Sequence, residues 1–148
     1  MTERPAAQGN KPSRVELIVH FGNGGRLTVE DLALIEAIRK ERSILGASRA
    51  TGVSYRKCWL MVDALNRTFE DAVFATHPGR RGGGADLTRF GERLIALYRS
   101  MERRTRTATA QAVAEFTASL DPAYQARASA EAAEWPLPRS QPARWQRS

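Results

Sequence analysis

The stretch Ser43-Ile-Leu-Gly-Ala-Ser-Arg-Ala-Thr-Gly-Val-Ser-Tyr-Arg-Lys-Cys-Trp-Leu-Met-Val-Asp-Ala-Leu65 reads as two short helices around a tight turn. Gly46, Ala47 and Ala50 are small enough for the first helix to approach the second closely. Gly52 tolerates the positive φ of a sharp turn, and Val53 plugs beneath it. Ser54 then supplies the N-cap of the second helix. On that helix Cys58, Met61, Val62 and Leu65 follow the i, i+3, i+4, i+7 spacing of a buried stripe, which leaves Tyr55, Arg56, Lys57 and Trp59 near the exposed N-terminal end. A polar, cationic helix end of this kind can reach base edges and phosphates. The same spacing also suits an ordinary helical hairpin in a core, so the flanking segments must decide between the two.

Downstream, the second helix is expected to end near residue 68. Ala72-Val-Phe-Ala-Thr76 has the β-branched and apolar content of a short strand, followed by His77-Pro-Gly-Arg-Arg-Gly-Gly-Gly84 and then Ala85-Asp-Leu87. Two short strands joined by a basic, glycine-rich loop make a wing. Arg80 and Arg81 suit a minor groove or phosphates, and Gly82, Gly83 and Gly84 leave no side chains to obstruct a close approach to DNA. The rival reading is a surface loop without a ligand. No Gly-Lys-Ser or Gly-Lys-Thr follows, so the glycines are not a nucleotide-binding P-loop.

Upstream, Val15, Leu17 and Val19 alternate with Glu16, Ile18 and His20, the period of a short strand ended by Gly22-Asn-Gly-Gly25. Thr28 is placed to cap a helix running to about Arg42, with Leu32, Ile35 and either Ile38 or Arg39 on its buried side. Past the wing, Thr88 caps a long helix. Leu94, Leu97, Tyr98 and Met101 lie along one side of it, continued more weakly by Ala108, Ala112 and Phe116 towards Leu120. Such a helix outruns the small domain it starts from, and the same helix of a second copy is the simplest surface to bury its stripe. Against this, Arg103, Arg104 and Arg106 interrupt the apolar seam and leave a solvated distal half as the alternative.

These readings divide the chain into a flexible segment 1–13, a winged helix-turn-helix domain 14–87, a long dimerisation helix 88–120 and a mostly disordered tail 121–148. The fold class is mainly α with a small β wing. Trp135 and Trp145 are unusual in such a tail and suit docking on the body or on a partner.

The 148 residues carry a formal charge of +7. A basic balance points towards polyanionic partners, because neutralising phosphates releases counterions. The excess is spread along the chain, however, and only Lys11, Lys40 and Lys57 among its cations are lysines, so a compositional arginine bias competes with selection for phosphate. The single cysteine, Cys58, cannot form an intramolecular disulfide and sits on the inward stripe. No apolar run has the length of a membrane span, and the first residues lack a secretory core. A cytoplasmic protein with no membrane partner is expected. His20, Cys58 and His77 are too scattered for a zinc site, and no nucleophile, base and orienting acid converge. No metal, no cofactor and no enzymatic activity are therefore expected.

Four pieces, Gly52-Val-Ser-Tyr-Arg-Lys-Cys-Trp59, Val62-Asp-Ala-Leu-Asn66, Gly82-Gly-Gly-Ala85 and Leu87-Thr-Arg-Phe-Gly-Glu-Arg-Leu94, occur in this order between a strand, a helix and a long terminal helix. Over about residues 14–116 the pattern resembles the N-terminal DNA-binding domain of ModE-type regulators, which is similar to the winged helix of LysR-type regulators. The resemblance implies a dimeric transcription factor on double-stranded DNA. It assigns base or backbone contact to Ser54, Tyr55, Arg56 and Lys57, and flanking backbone contact to the wing from Arg80 and Arg81 through Gly82, Gly83 and Gly84. Full-length ModE proteins carry oxyanion-binding domains after the long helix, whereas this chain ends about thirty residues beyond it. The expectation is thus a regulator of this type without the sensor, bound to a two-fold operator and signalled by abundance or by a separate effector or protein partner. The competing expectation is a winged-helix interaction module with Tyr55 and Trp59 as aromatic anchors, although Trp59 is equally placed to brace the wing.

Overall fold

Four hydroxyl side chains start the four helices in the computed structural model of the protein, which describes residues 11–126. Thr28, Ser43, Ser54 and Thr88 each accept the backbone N–H three residues on, from Asp31 (3.1 Å), Gly46 (2.9 Å), Lys57 (3.2 Å) and Gly91 (3.0 Å). They open α1 (Val29–Glu41), α2 (Ile44–Thr51), α3 (Tyr55–Thr68) and α4 (Arg89–Ala118). Each cap satisfies a donor that the helix leaves orphaned, worth about 1 kcal/mol. At Thr28 the arrangement is reciprocal, because the Asp31 carboxylate accepts from the Thr28 backbone N–H at 2.9 Å. That exchange explains how an aspartate is tolerated on the buried side of α1.

The turn between α2 and α3 is made as expected. Gly52 adopts φ 74° at the end of α2, and Cys58, Val62 and Leu65 are buried, with Met61 half-buried beside them. Leu32, Leu34, Ile35 and Ile38 of α1 supply much of the same core, which Ile44 and Ala47 of α2 join.

Two small antiparallel hairpins complete the mostly helical fold. The first pairs β1 (Val19–His20) with β2 (Arg26–Leu27) around the turn at residues 21–25. The strand expected from residue 15 is therefore only two residues long. Residues 11–18 run beside α4 instead: the Tyr98 hydroxyl donates to the Leu17 carbonyl at 2.6 Å, and the Ser13 and Thr117 hydroxyls are 2.8 Å apart. Burial raises the Tyr98 hydroxyl pKa above its ordinary value.

The second hairpin joins β3 (Phe74–His77) to β4 (Gly84–Leu87), with Phe74 opposite Leu87 and His77 opposite Gly84. It begins two residues later than the sequence pattern suggests, because Val73 and Phe74 both donate their backbone N–H to Asn66 Oδ1 at 2.9 Å. Asn66 Nδ2 in turn donates to the Phe74 carbonyl at 3.2 Å, so one amide fastens the hairpin to the last turns of α3.

The long helix divides into two parts. Leu94, Ile95 and Tyr98 are buried in the core, and Arg99 ties the helix to α1 through Glu36, with Nη2 2.6 Å from Oε1. Leu94 and Tyr98, expected to belong to a dimer seam, are thus occupied within their own chain. Leu97, Met101, Ala108, Ala112 and Phe116 remain exposed, Phe116 at 74%. Thirty residues at 1.5 Å rise span about 45 Å, and the distal half of that length leaves the core behind. Trp135 and Trp145, with most of the expected tail and leading segment, lie outside the described residues. Among the described residues no helix is long and apolar enough to cross a membrane.

Candidate nucleic-acid interface

The helix pair and the second hairpin form one continuous surface, because the hairpin loop is seated on the starts of both α2 and α3. The backbone N–H groups of Ile44 and Leu45, at the N-terminus of α2, donate to the carbonyls of Gly83 (2.8 Å) and Gly82 (2.9 Å). A Cβ on Gly83 would lie 2.6 Å from Trp59 Cζ2 and 3.1 Å from the Tyr55 hydroxyl oxygen. Gly83 is also left-handed, with φ 67°. Its lack of a side chain serves the docking of the loop onto the helices, and Gly83 and Gly84 are buried. At Gly83 and Gly84 the missing side chains permit an internal approach, of the loop to the helices and to Arg80, which the sequence-based reason for these glycines did not include. The carbonyls of Gly82 and Gly83 cap α2, and Gly84 packs against the Arg80 side chain.

Trp59 is accounted for in the same way. It is half-buried, meets Tyr55 edge to face with ring centroids 6.2 Å apart, and lies over Gly83. Its ring fixes the hairpin loop against α3. Tyr55 supports it and remains 42% exposed.

Several of the side chains left facing outward are cationic. Arg56 and Lys57 are exposed on the first turn of α3, and Arg80 and Arg81 on the hairpin loop; Ser54 is exposed but its hydroxyl is engaged as the cap of α3. Arg49 adds an exposed cation on α2. These groups differ in what they touch. Lys57 Nζ is 2.9 Å from Glu30 Oε1 on the first turn of α1. Arg80 Nη1 is 3.9 Å from Asp86 Oδ2, on a carboxylate that also binds Arg42 Nε at 2.9 Å and His77 Nε2 at 3.2 Å. The hydrogen bond from Arg42, reinforced by the one from His77, holds the Asp86 carboxyl below its ordinary range. Among the described residues, Arg49, Arg56 and Arg81 form no ion pair with a carboxylate.

Sequence reasoning missed Asp86, Arg42 and Glu30, the groups that pair these cations. Glu30 lies 27 residues from Lys57 and Arg42 lies 44 from Asp86, so no local pattern signals those two pairs. Cys58 is buried on the inner side of α3, and burial raises its thiol pKa, which suits a packing role. Among the described residues no group of three or more His, Cys, Asp or Glu side chains is placed to hold a metal ion.

Together the geometry defines a class: a small helical module in which a turn-linked helix pair and a β-hairpin docked on it both expose cations. Comparison with known proteins gives the particular kinship. The chain is 40% identical over 103 residues to the molybdenum-pterin-binding protein MopB of Rhodobacter capsulatus, an alignment covering 68% of this chain and 37% of that protein. It is 38% identical over 80 residues to the molybdenum transport protein ModE of Azotobacter vinelandii, covering 53% and 30%. It is 37% identical over 68 residues to the DNA-binding transcriptional dual regulator ModE of Escherichia coli K12, covering 45% and 26%. The chain is thus homologous over part of its length to ModE regulators and Mop proteins, and the aligned part amounts to between a quarter and two fifths of each relative. No protein-family model matches the chain. None of these relatives' names describes an enzyme.

Proposed function

We propose that this chain is a DNA-binding transcriptional regulator of the ModE type, whose winged helix-turn-helix binds a two-fold symmetric operator as a homodimer. The observation that carries the reading is the docking of the hairpin loop on the start of α3 through Gly83 and Trp59, which sets the exposed Arg56 of α3 and Arg81 of the loop, neither paired with a carboxylate among the described residues, on two adjoining elements. In this reading α3 enters the major groove, with Tyr55 and Arg56 reaching base edges, while the hairpin acts as a wing along the flanking backbone. Ser54 and Trp59 position these groups from behind.

The dimer is supported by the exposed stripe of Leu97, Met101, Ala108, Ala112 and Phe116, which has no partner surface within the described part of one chain. Two copies joined along α4 would place two recognition helices on one side of a duplex, with half-sites about 34 Å apart. The names of the relatives link the regulated process to molybdenum, and that link reaches this chain through similarity.

The competing role, a module that grips a protein through Tyr55 and Trp59, is disfavoured because Trp59 is committed to the hairpin loop. Sedimentation of the protein with and without a duplex separates the two readings. Two chains per duplex are expected at moderate salt, whereas free protein sedimenting independently of every duplex, even at low salt, would overturn DNA binding.

A further inference from the structure

The cations around the second hairpin have a competitor for phosphate within the chain. Asp86 lies at the base of the hairpin and gathers Arg42 from the end of α1, together with His77 and Arg80 from the hairpin itself. Arg42 occupies a left-handed position, φ 57°, unfavourable for a residue with a Cβ, and its Nε reaches Asp86 Oδ1 at 2.9 Å. Its guanidinium is therefore drawn to the carboxylate although its side chain is 71% exposed. An arginine in this position is only partly available to DNA. Moving it to a phosphate gives up the 2.9 Å hydrogen bond and leaves Asp86 less compensated beside a polyanion, so the contact gains less net charge neutralisation.

We propose that Asp86 is a positioning residue of the DNA-binding surface that holds Arg42 and Arg80 off the phosphate backbone, so that the hairpin meets DNA through Arg81. The inference rests on the DNA-binding reading and adds to it a limit on electrostatic affinity. Glu30 holds Lys57 in the same manner at the other side of the face, with an Nζ–Oε1 distance of 2.9 Å. The face thus carries more arginine and lysine than it offers to phosphate.

The salt dependence of binding to a random-sequence duplex, followed by fluorescence anisotropy at pH 7.5 with the full chain, reads this directly. Each additional phosphate neutralised steepens the slope of log K against log salt by about 0.9. Asp86→Asn should steepen it by about 1.8 through release of Arg42 and Arg80, so that its loss of affinity from 50 to 200 mM salt is about 12-fold larger than that of the wild type. Glu70→Gln controls for the change in net charge. It follows the C-terminal end of α3, about 21 Å along the helix from Tyr55, and should leave the slope unchanged.

Arg42→Gln should not alter the wild-type slope, yet should lower that of Asp86→Asn by about 0.9. An Asp86→Asn slope equal to the wild type, or equal steepening in Glu70→Gln, would overturn the proposal. If Asp86→Asn does not fold, Arg42→Gln alone decides: an unchanged slope supports it, and one shallower by about 0.9 refutes it, because Arg42 would then already neutralise phosphate. Absence of salt-dependent binding by the wild type at low salt would instead remove the DNA-binding reading itself.

Discussion

Replacing Gly83 with alanine tests whether the hairpin and the helix pair are one rigid unit, and Gly52 provides its internal control. Both residues are left-handed, with φ 67° and 74°. For alanine this conformation costs about 1–2 kcal/mol at either site. The sites differ in space: a Cβ at Gly52 has nothing within 4 Å, whereas one at Gly83 would lie 2.6 Å from Trp59 Cζ2 and 3.4 Å from Ile44 Cγ1. Relief by rotation of Trp59 is opposed by Tyr55 on its edge, and relief by movement of the loop breaks the 2.8 Å hydrogen bond from Ile44 to the Gly83 carbonyl. Overpacking of this kind adds about 1–3 kcal/mol. Gly83→Ala should therefore lose about 2–5 kcal/mol against about 1–2 for Gly52→Ala. With a urea m-value of about 2 kcal/mol/M, a loss of about 3 kcal/mol lowers the unfolding midpoint by about 1.5 M. The assay is urea unfolding followed by circular dichroism at a fixed protein concentration, since a dimer's stability depends on concentration. Equal losses for the two variants would refute the packing argument, and a Gly83→Ala protein of wild-type stability would refute the seating of the loop altogether.

Other outcomes follow from the same structure. Arg56→Ala should relax base preference by about 1–3 kcal/mol at one operator position, measured by competition between single-base operator variants, while Arg81→Ala should weaken all sequences alike and make the salt slope shallower by about 1. Tyr98→Phe removes the hydroxyl that donates to Leu17 at 2.6 Å and should cost about 1–2 kcal/mol in thermal or urea unfolding, with residues 11–18 becoming more accessible to protease. Leu97→Glu combined with Met101→Glu should give monomers by light scattering while the far-ultraviolet circular dichroism of the fold persists, because both side chains are exposed in the single chain. Asp86 contributes to the acid limb of stability. Its folded pKa lies below its unfolded one, so the contribution is present above about pH 4 and is lost as pH falls through the folded value; Asp86→Asn should flatten stability against pH in that range.

How much of this was legible in the sequence depends on the range over which each interaction acts. The caps at Thr28, Ser54 and Thr88, the left-handed turn at Gly52 and the inward stripe of Cys58, Val62 and Leu65 are local, set within a few residues, and the structure reproduces them. The hairpin was legible as two strands and a loop, but its start was not, because it is fixed by Asn66 from another element. The pair Arg26–Leu27 is too short to produce a periodic signal.

The site was legible as a set of cations and illegible as a set of interactions. A run of three glycines does not distinguish a loop that approaches DNA from one that approaches a tryptophan. Only the fold shows Gly83 beneath Trp59 and the carbonyls of Gly82 and Gly83 on the N-terminus of α2. In the same way, the heptad-like spacing that joined Leu94 and Tyr98 to Leu97 and Met101 could not reveal that α4 turns one side to its own core and another outward. Periodicity identifies an apolar side and leaves open which molecule covers it.

Selection of bound duplexes from a random DNA pool at a defined, moderate salt concentration tests the proposed sequence-specific recognition by a two-fold dimer. The expected result is enrichment of an inverted repeat whose half-sites are centred about one helical turn, roughly 34 Å, apart. A pool that remains random after repeated selection, or that enriches a single asymmetric site bound by one chain, would contradict it.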